Sequence, residues 1–154
     1  MDERPHYEDL MHRQFLQLDE LYGAFAKSRG ESYLSMWTLC ELGGHPEGLN
    51  HKQMAETLHL PKQTVSSIVA SFEQRGLASS GKSPHDGRSR TVRLTEAGRA
   101  RYEAVSRELE AVESASAGRV GAGELDRACA VLSRYADALS EELSELVCVK
   151  EGAA

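Results

Sequence analysis

The segment from Pro61 to Gly98 constrains the fold of this 154-residue chain more than any other part of the sequence. Its first half contains apolar residues spaced at i, i+3, i+4 and i+7, which predicts a helix with one buried face. These residues are Val65, Ile68, Val69 and Phe72. The opposite face carries short polar side chains that can hydrogen-bond, and such a face suits a helix that lies in the DNA major groove. Its members are Lys62, Gln63, Thr64, Ser66, Ser67 and Ser71.

A second, shorter helix is predicted over residues 50–58, immediately before this one. Asn50 as N-cap and Gln53 three residues later form a variant of the capping box. Pro61 suits the first position of the next helix, where its missing N–H is not needed. The junction between the helices is only two residues long, with His59 where many such turns have glycine, so the helices must cross steeply. This is a helix-turn-helix pattern, although two ordinary packed helices would share it.

A basic hairpin follows the second helix. Residues 77–81 and 89–94 can pair as strands around a tip that contains an Asp86-Gly87 turn signal. A tip without apolar residues contributes little to folding, whereas its cations suit contact with phosphates or the DNA minor groove. These cations are Lys82, Arg88 and Arg90. The helix pair and the hairpin together predict a winged helix-turn-helix.

With these features, the chain resembles the MarR family of bacterial transcription regulators. The matching segments are the recognition helix, QTVSSIVASFEQRGL, and the wing, PHDGRSRTVRLTEAG. The most specific block is Asp86-x-Arg88, followed by Leu94-Thr95 and Gly98. The resemblance implies that Arg88 enters the minor groove and that Asp86 orients the wing. It also implies a two-fold dimer formed by the first helix and the last two helices.

We interpret the candidate DNA contacts as two groups, since phosphate contacts position a protein and base contacts specify the sequence. The expected backbone-positioning residues are Lys62, Ser66, Ser71, Arg90 and Arg93. The expected readers of base edges are Gln63, Thr64 and Ser67. Double-stranded DNA is therefore the expected partner.

The resemblance also implies an effector pocket where the dimerisation helices meet the winged region. In this chain that region includes Tyr22, Phe25, Trp37 and Tyr102, and a small aromatic or amphipathic effector is expected there. Aromatic residues at helical spacing are more often part of a core, which is the alternative interpretation of these four.

The charge of the chain is distributed unevenly. Residues 50–101 contain nine Lys/Arg and four Asp/Glu and carry +5, whereas the whole chain carries −6, which leaves −11 on the remainder. A basic region on an acidic body fits a DNA-binding face whose surroundings limit non-specific association. Chance clustering on a solvated surface is the alternative.

The two flanks of the winged region predict amphipathic helices. Residues 1–30 are expected to form a dimerisation helix, residues 31–98 the winged helix-turn-helix, and residues 99–150 the C-terminal dimerisation helices, all in a single compact chain rather than independent domains. Glycines are expected to delimit these helices. A helix from Tyr33 to Leu42 would stop at Gly43-Gly44, and a long helix capped by Thr95 would be interrupted at three glycines. These are Gly118, Gly121 and Gly123.

The last helix, predicted over residues 124–147, carries an apolar stripe that is long for a small winged-helix core. At ~1.5 Å per residue it would extend roughly 35 Å. The stripe consists of Leu125, Ala128, Cys129, Leu132, Tyr135, Ala136, Leu139, Leu143 and Leu146. We therefore expect a symmetric homodimer with its recognition helices one DNA turn apart on a pseudo-palindrome. A monomer whose last helix folds back is the alternative.

The sequence lacks the motifs of common enzymes. It has no HExxH, no glycine-rich phosphate loop and no nucleophile elbow, so neither catalysis nor a cofactor is expected. Its three cysteines have no CxxC spacing, which argues against structural zinc or a disulfide framework and favours a reducing compartment. Cys40 and Cys129 are expected to be buried, and Cys148 is the candidate exposed thiol. No signal peptide or membrane span is expected, which favours a cytoplasmic protein without a membrane partner.

These observations predict a mainly α fold with a small β-hairpin wing, a winged helix-turn-helix domain and a helical dimerisation region. The predicted function is a homodimeric transcriptional repressor that a small molecule releases from its operator. Two alternatives remain open: a winged-helix protein-interaction module, and a regulator that senses oxidants through a thiol.

Overall fold

A computed structural model describes residues 7–82 and 90–151 of the chain. Six helices flank a two-stranded antiparallel hairpin, which confirms the predicted fold class. The elements in order are α1 (Tyr7–Ser28), α2 (Tyr33–Gly44), α3 (His51–Thr57), α4 (Lys62–Gln74), β1 (Ala78–Lys82), β2 (Arg90–Leu94), α5 (Glu96–Val120) and α6 (Ala122–Glu151). Two predicted site residues of the wing tip, Asp86 and Arg88, lie outside the described residues.

The chain forms two compact units, residues 1–107 and 108–154. In the first unit, one hydrophobic core joins α2, α3, α4, the hairpin and the start of α5. All four apolar residues predicted for the inner face of α4 are buried in it, so the helical periodicity identified this face correctly. Their largest buried neighbours are Met36, Leu39, Leu42, Met54, Val92 and Val105.

The helix-turn-helix is closed by local hydrogen bonds that the sequence predicted. The Asn50 side chain accepts from the Gln53 N–H at 2.9 Å, and the Gln53 side chain accepts from the Asn50 N–H at 2.8 Å, which completes the capping box. His59 has a φ of 51°, the left-handed region where glycine is favoured and histidine is tolerated. Pro61 precedes the first helical residue, Lys62, instead of being that residue, a difference within the usual uncertainty of helix ends.

The hairpin is anchored to the segment that leads into α3. Ala78 pairs with Leu94 and Lys82 pairs with Arg90, so β1 begins and ends one residue later than predicted and β2 begins one residue later. Leu49, just before α3, exchanges two backbone hydrogen bonds with Val92, of 3.0 and 2.8 Å. The hairpin is therefore tied to the start of the helix-turn-helix.

Thr95 begins α5 as the sequence predicted. Its hydroxyl donates to the Gly76 carbonyl at 2.6 Å and accepts from the Gly98 N–H at 3.1 Å. Gly98 has a steric reason to be glycine, because a Cβ at this position would overlap the backbone carbonyl of Leu77. The start of α5 thus lies directly against the chain that leads into β1.

The predicted glycine boundaries had mixed outcomes. Helix α2 ends at Gly44, within the predicted Gly43-Gly44 stop, and Gly43 also provides space for a ring, since a Cβ there would overlap Tyr102. Gly118 lies inside α5 and Gly123 inside α6, so of the three glycines only Gly121, with a φ of 99°, separates the helices. A glycine interior to a helix costs about 1 kcal/mol, which the rest of the helix can offset.

Helix α6 runs from Ala122 to Glu151, longer than predicted at both ends. Its apolar stripe is solvent-exposed within the second unit, where Leu139 and Leu143 expose 43% and 51% of their surface. Helix α1 in the first unit likewise exposes Leu10, Leu18 and Leu21. Among the described residues, no helix combines the length and the apolar character that crossing a membrane requires.

Candidate nucleic-acid interface

The outward face of α4 is the central part of the candidate interface. Lys62, Gln63, Ser66 and Ser67 are exposed, whereas Thr64 and Ser71 are half-buried at the two edges of the face. Helical spacing places two further exposed residues, Ala70 and Gln74, on the same outward face. The sequence analysis omitted both, although the periodicity that identified the buried face also predicts their position.

A hydrogen bond within α4 determines which groups of this face remain available to a partner. Ser67 donates its hydroxyl hydrogen to the Gln63 carbonyl at 3.0 Å, which leaves its lone pairs directed to outside donors. Such an acceptor matches the amino groups of cytosine or adenine in the major groove. The Gln63 amide presents both donors and an acceptor, and it can therefore bond an adenine edge at two points.

No side chain caps the N-terminus of α4, where Pro61 is the N-cap. The first backbone N–H groups of a helix lack intrahelical partners, and the helix dipole makes this end positive. A DNA phosphate is a suitable partner for such an end. The neighbouring Lys62 adds a full positive charge.

A cleft of about 500 Å³ lies beside α4, between the start of α3 and the hairpin. Its lining includes three side chains that are cationic or can become so, and only Arg90 was among the predicted contacts. The full lining is Asn50, His51, Lys52, Glu73, Ser80, Arg90 and Val92. Ser80 donates to Glu73 at 2.5 Å and so connects β1 to the end of α4. The position of Lys52 in the first turn of the helix preceding α4 was the sequence signal that could have identified it.

Arg93 lies on the opposite face of β2 from Arg90, because successive residues of a strand point to opposite faces and these two are three residues apart. Its stem packs over Gly48, where a Cβ would lie 2.6 Å from the Arg93 Cγ. The pKa of the nearby Glu47 carboxyl is lowered by a hydrogen bond from its own backbone N–H, by His45, and to a smaller degree by the charge of Arg93. The predicted DNA contact of Arg93 stays a prediction, and its present contacts are with the loop before α3.

The four aromatic residues predicted for the effector pocket all pack, half-buried, against the core of the first unit. Only Tyr22 and Trp37 form a ring pair, edge to face with centroids 5.3 Å apart, and Tyr33 adds a third ring 6.2 Å from Trp37. Phe25 instead lies beneath the Arg29 guanidinium at 5.5 Å, and Tyr102 lies over Gly43. The structure therefore brings two of the four residues together and adds Tyr33, which the sequence analysis missed.

The cysteine predictions had mixed outcomes. Cys40 packs against the core as expected, but Cys129 is exposed on α6, as are other residues of the α6 stripe. The Cys148 side chain lies outside the described residues. The described residues contain no group of three or more His, Cys, Asp or Glu side chains that could hold a metal ion.

Comparisons with known proteins agree with this geometry. Residues 32–89 match the model of the MarR family. The DNA complex of MepR from Staphylococcus aureus superposes with a TM-score of 0.77 over 90% of this chain and 99% of that chain, at 19% identity. NMB1585, a MarR family regulator from Neisseria meningitidis, gives 0.75 over 89% and 96%, at 20% identity.

A third similar structure contains a ligand. The PcaV transcriptional regulator from Streptomyces coelicolor, in complex with its natural ligand, gives a TM-score of 0.70 over 90% of this chain and 97% of that chain, at 23% identity. A comparison with curated protein sequences gives no match. The family match over residues 32–89 and the shared fold confirm the resemblance that the recognition-helix and wing motifs predicted.

Proposed function

We propose that this chain, which is MarR-like in residues 32–89 and in its overall fold, is a sequence-specific DNA-binding regulator of transcription. The outward face of α4 is the observation that carries the proposal. It is polar, exposed and adjacent to an uncapped helix N-terminus and a cleft lined by Lys52 and Arg90. The DNA complex of the similar MepR structure supports the same role for this fold.

The proposed DNA contacts keep the division made from the sequence. Gln63, Thr64 and Ser67 would read base edges, while Lys62, Ser66, Ser71, Arg90 and Arg93 would position the backbone. To the second group we add Lys52, because it lines the same cleft as Arg90. In the wing, Arg88 would enter the minor groove and Asp86 would orient the tip.

The proposed assembly is a homodimer. Each of the helices α1 and α6 exposes several large apolar residues, and exposed apolar faces of this kind mark interaction sites. A two-fold dimer would present two copies of α4 to a pseudo-palindromic operator. Residues 1–30 and 99–150 would supply the interface, and residues 31–98 the DNA-binding region.

Repression with release by a small molecule is the proposed mode of regulation. The ligand complex of the similar PcaV structure supports an effector in this fold. Trp37 is the only tryptophan of the chain and packs edge to face against Tyr22, so a small aromatic effector bound there would change its fluorescence. Titration of candidate small aromatic compounds should then change emission and operator affinity over the same concentration range. Release of DNA without any emission change would move the effector site away from Trp37.

The function itself is tested by titrating DNA with the purified chain and following fluorescence anisotropy. The probes are the duplex upstream of its own gene and a shuffled duplex of equal composition. Specific binding should be about 10³-fold tighter or more, and it should weaken steeply between ~50 and ~200 mM salt. Equal, weak binding to both duplexes would favour the winged-helix protein-interaction module instead.

A further inference from the structure

One carboxylate in the first unit is almost completely removed from solvent. Glu31 lies in the turn between α1 and α2, and its side chain is 1% exposed. Among the described residues, Glu31 is the only charged residue that is buried. The turn is fixed to α1, because the Glu31 N–H donates to the Ala26 carbonyl at 3.0 Å and Gly30 adopts a φ of 72°.

The partner of Glu31 is the residue that ends the candidate recognition helix. Arg75, the C-cap of α4, donates from Nη1 to Oε2 at 2.9 Å and from Nη2 to Oε1 at 2.5 Å. This two-point geometry fixes both the distance and the orientation of the guanidinium. The same guanidinium lies 5.8 Å from the centre of the Phe72 ring, which is buried in the core.

A second arginine completes the cluster from α5. Arg101 approaches Oε1 of Glu31 at 3.4 Å and donates to the Arg29 carbonyl in the same turn. The turn after α1, the end of α4 and the start of α5 therefore meet at one carboxylate.

The charge state of the cluster follows from its contacts. Burial acts to raise the pKa of Glu31, but the hydrogen bonds and charges of Arg75, and then of Arg101, outweigh it and hold the pKa below its ordinary value. The hydrogen bond to Glu31 raises the pKa of Arg75 in return. The Glu31 carboxylate and the Arg75 guanidinium are consequently charged at neutral pH.

We propose that Glu31 is a positioning residue for DNA recognition, which holds the C-terminal end of α4 against the turn after α1 and thereby sets the angle at which α4 meets DNA. This inference rests on the proposed function. Helix α4 is about 18 Å long at ~1.5 Å per residue, so a tilt of about 5° at Arg75 displaces Gln63 by about 1.5 Å. A displacement of that size breaks a base-edge hydrogen bond, whose tolerated range is only about 0.5 Å.

The sign of the effect separates positioning from simple electrostatics. Glu31→Gln removes one negative charge from a protein that binds a polyanion, so Coulomb interactions alone predict equal or tighter DNA binding. Positioning predicts the opposite, weaker binding of the specific site. Only the specific affinity should fall, because contacts to phosphates alone tolerate a small tilt.

The experiment measures operator affinity by anisotropy at a temperature where circular dichroism shows every variant folded. Glu31→Gln should bind the operator about tenfold more weakly, the size of one lost base-edge contact, with an unchanged salt slope and unchanged affinity for shuffled DNA. Glu103→Gln is the matched control, an exposed carboxylate on α5 in the same unit, and it should bind like the wild type. A folded Glu31→Gln with wild-type or tighter operator affinity overturns the proposal.

Two further variants keep the test decisive if Glu31→Gln does not fold. Arg75→Lys retains the charge but can make only one contact, and it should bind the operator more weakly than the wild type, with unchanged affinity for shuffled DNA. The double variant Glu31→Gln with Arg75→Gln restores the net charge and leaves an amide pair. The double variant should bind the operator as weakly as a variant with only one of the two substitutions, since both substitutions break the same Glu31–Arg75 contact. If the fold-loss of operator affinity in the double variant equals the product of the two single fold-losses, Glu31 and Arg75 act independently and the proposal is overturned.

Failure of the proposed function has a different signature. If the wild type prefers no sequence, hydrogen exchange still reports on the link, because the amides of residues 75–77 should exchange faster in Glu31→Gln than in Glu103→Gln. Unchanged exchange at these amides would overturn the positioning role by itself.

Discussion

At the scale of single residues, the proposed recognition depends on side chains whose hydrogen-bonding groups face outward. Gln63 is exposed in the first turn of α4. The Ser67 hydroxyl donates a hydrogen bond to the Gln63 backbone carbonyl. The two therefore offer different chemistry to a base pair, since the amide can donate and accept whereas the hydroxyl in this rotamer only accepts. Specificity should consequently be strongest at the base pair that Gln63 meets.

Replacement of Gln63 by Ala should cost about 1–3 kcal/mol of binding free energy at one base-pair position and relax the preference there. Competition against a set of operators with single-base changes measures this. Gln74→Ala is the matched control, since the same residue type lies on the same face at the other end of α4, and its effect should be smaller. A uniform loss across all operator variants would instead assign Gln63 to the DNA backbone.

Glu31 gives the fold a pH dependence of known sign. Its pKa in the folded protein lies below the ordinary value of 4.5, so the folded state favours the carboxylate. The stabilisation is therefore fully present above pH 4.5 and is lost as pH falls through the lower folded pKa.

We expect Glu31→Gln to lower the free energy of unfolding at neutral pH by about 1–2 kcal/mol, because it removes charge-assisted hydrogen bonds to two arginines that are themselves partly exposed to solvent. The gap to the wild type should narrow below about pH 4.5, as the wild type loses the same interaction. Urea unfolding of both proteins from pH 7 to pH 3, at one protein concentration, measures the gap. A gap that stays constant over this range would show that folding does not lower the pKa of Glu31.

At the scale of elements, the sequence predicted what depends on neighbours along the chain. The buried face of α4, the Asn50 capping box and the Thr95 cap all arise from residues within a turn or two of each other, so local periodicity was sufficient. The Glu31 cluster could not be predicted this way. Its partners lie 44 and 70 residues away, and only the tertiary fold brings them together.

The role of a glycine near a helix end also depends on tertiary packing, which the sequence alone does not reveal. A glycine near a helix end can mark a stop, a close packing contact or neither, and the sequence does not distinguish these cases. Gly43 accommodates the ring of Tyr102 and Gly98 accommodates the Leu77 carbonyl, whereas Gly121 takes a left-handed conformation between α5 and α6.

Gly98→Ala should therefore lower the free energy of unfolding by about 1–3 kcal/mol, the usual cost of overpacking, because the new Cβ would overlap backbone that cannot rotate away. Chemical unfolding measures it. Gly44→Ala is the matched control, since Gly44 is exposed and has open space around the position of a Cβ, and it should leave stability unchanged or raise it by up to about 1 kcal/mol. Equal effects of the two substitutions would contradict the close packing of α5 against Leu77.

At the scale of the whole molecule, the exposed apolar stripe of α6 is the main sign of a larger assembly. Leaving so many large apolar side chains in water is unfavourable by roughly 25 cal/mol per Å² of apolar surface. A second copy of the chain is the partner that the proposed two-fold DNA binding requires.

Leu139→Glu with Leu143→Glu places two charges on this stripe, and burying either without a partner costs several kcal/mol. The dimer should dissociate, and operator affinity should fall by more than one lost contact explains, because two linked half-sites are no longer bound together. Light scattering and DNA binding on the same samples measure both effects. Ser133→Glu with Ser144→Glu, which adds the same charge on the polar side of α6, should change neither. A wild type that is already monomeric would contradict the proposed interface.

The central claim is that a pair of α4 helices reads a specific DNA sequence, and selection of random duplexes by the purified wild-type chain tests it most directly. Sequencing of the recovered DNA should reveal an inverted repeat whose half-site centres lie about 10 base pairs, or one helical turn, apart. Recovery of no enriched sequence, or of a single site without a repeat, would contradict the account.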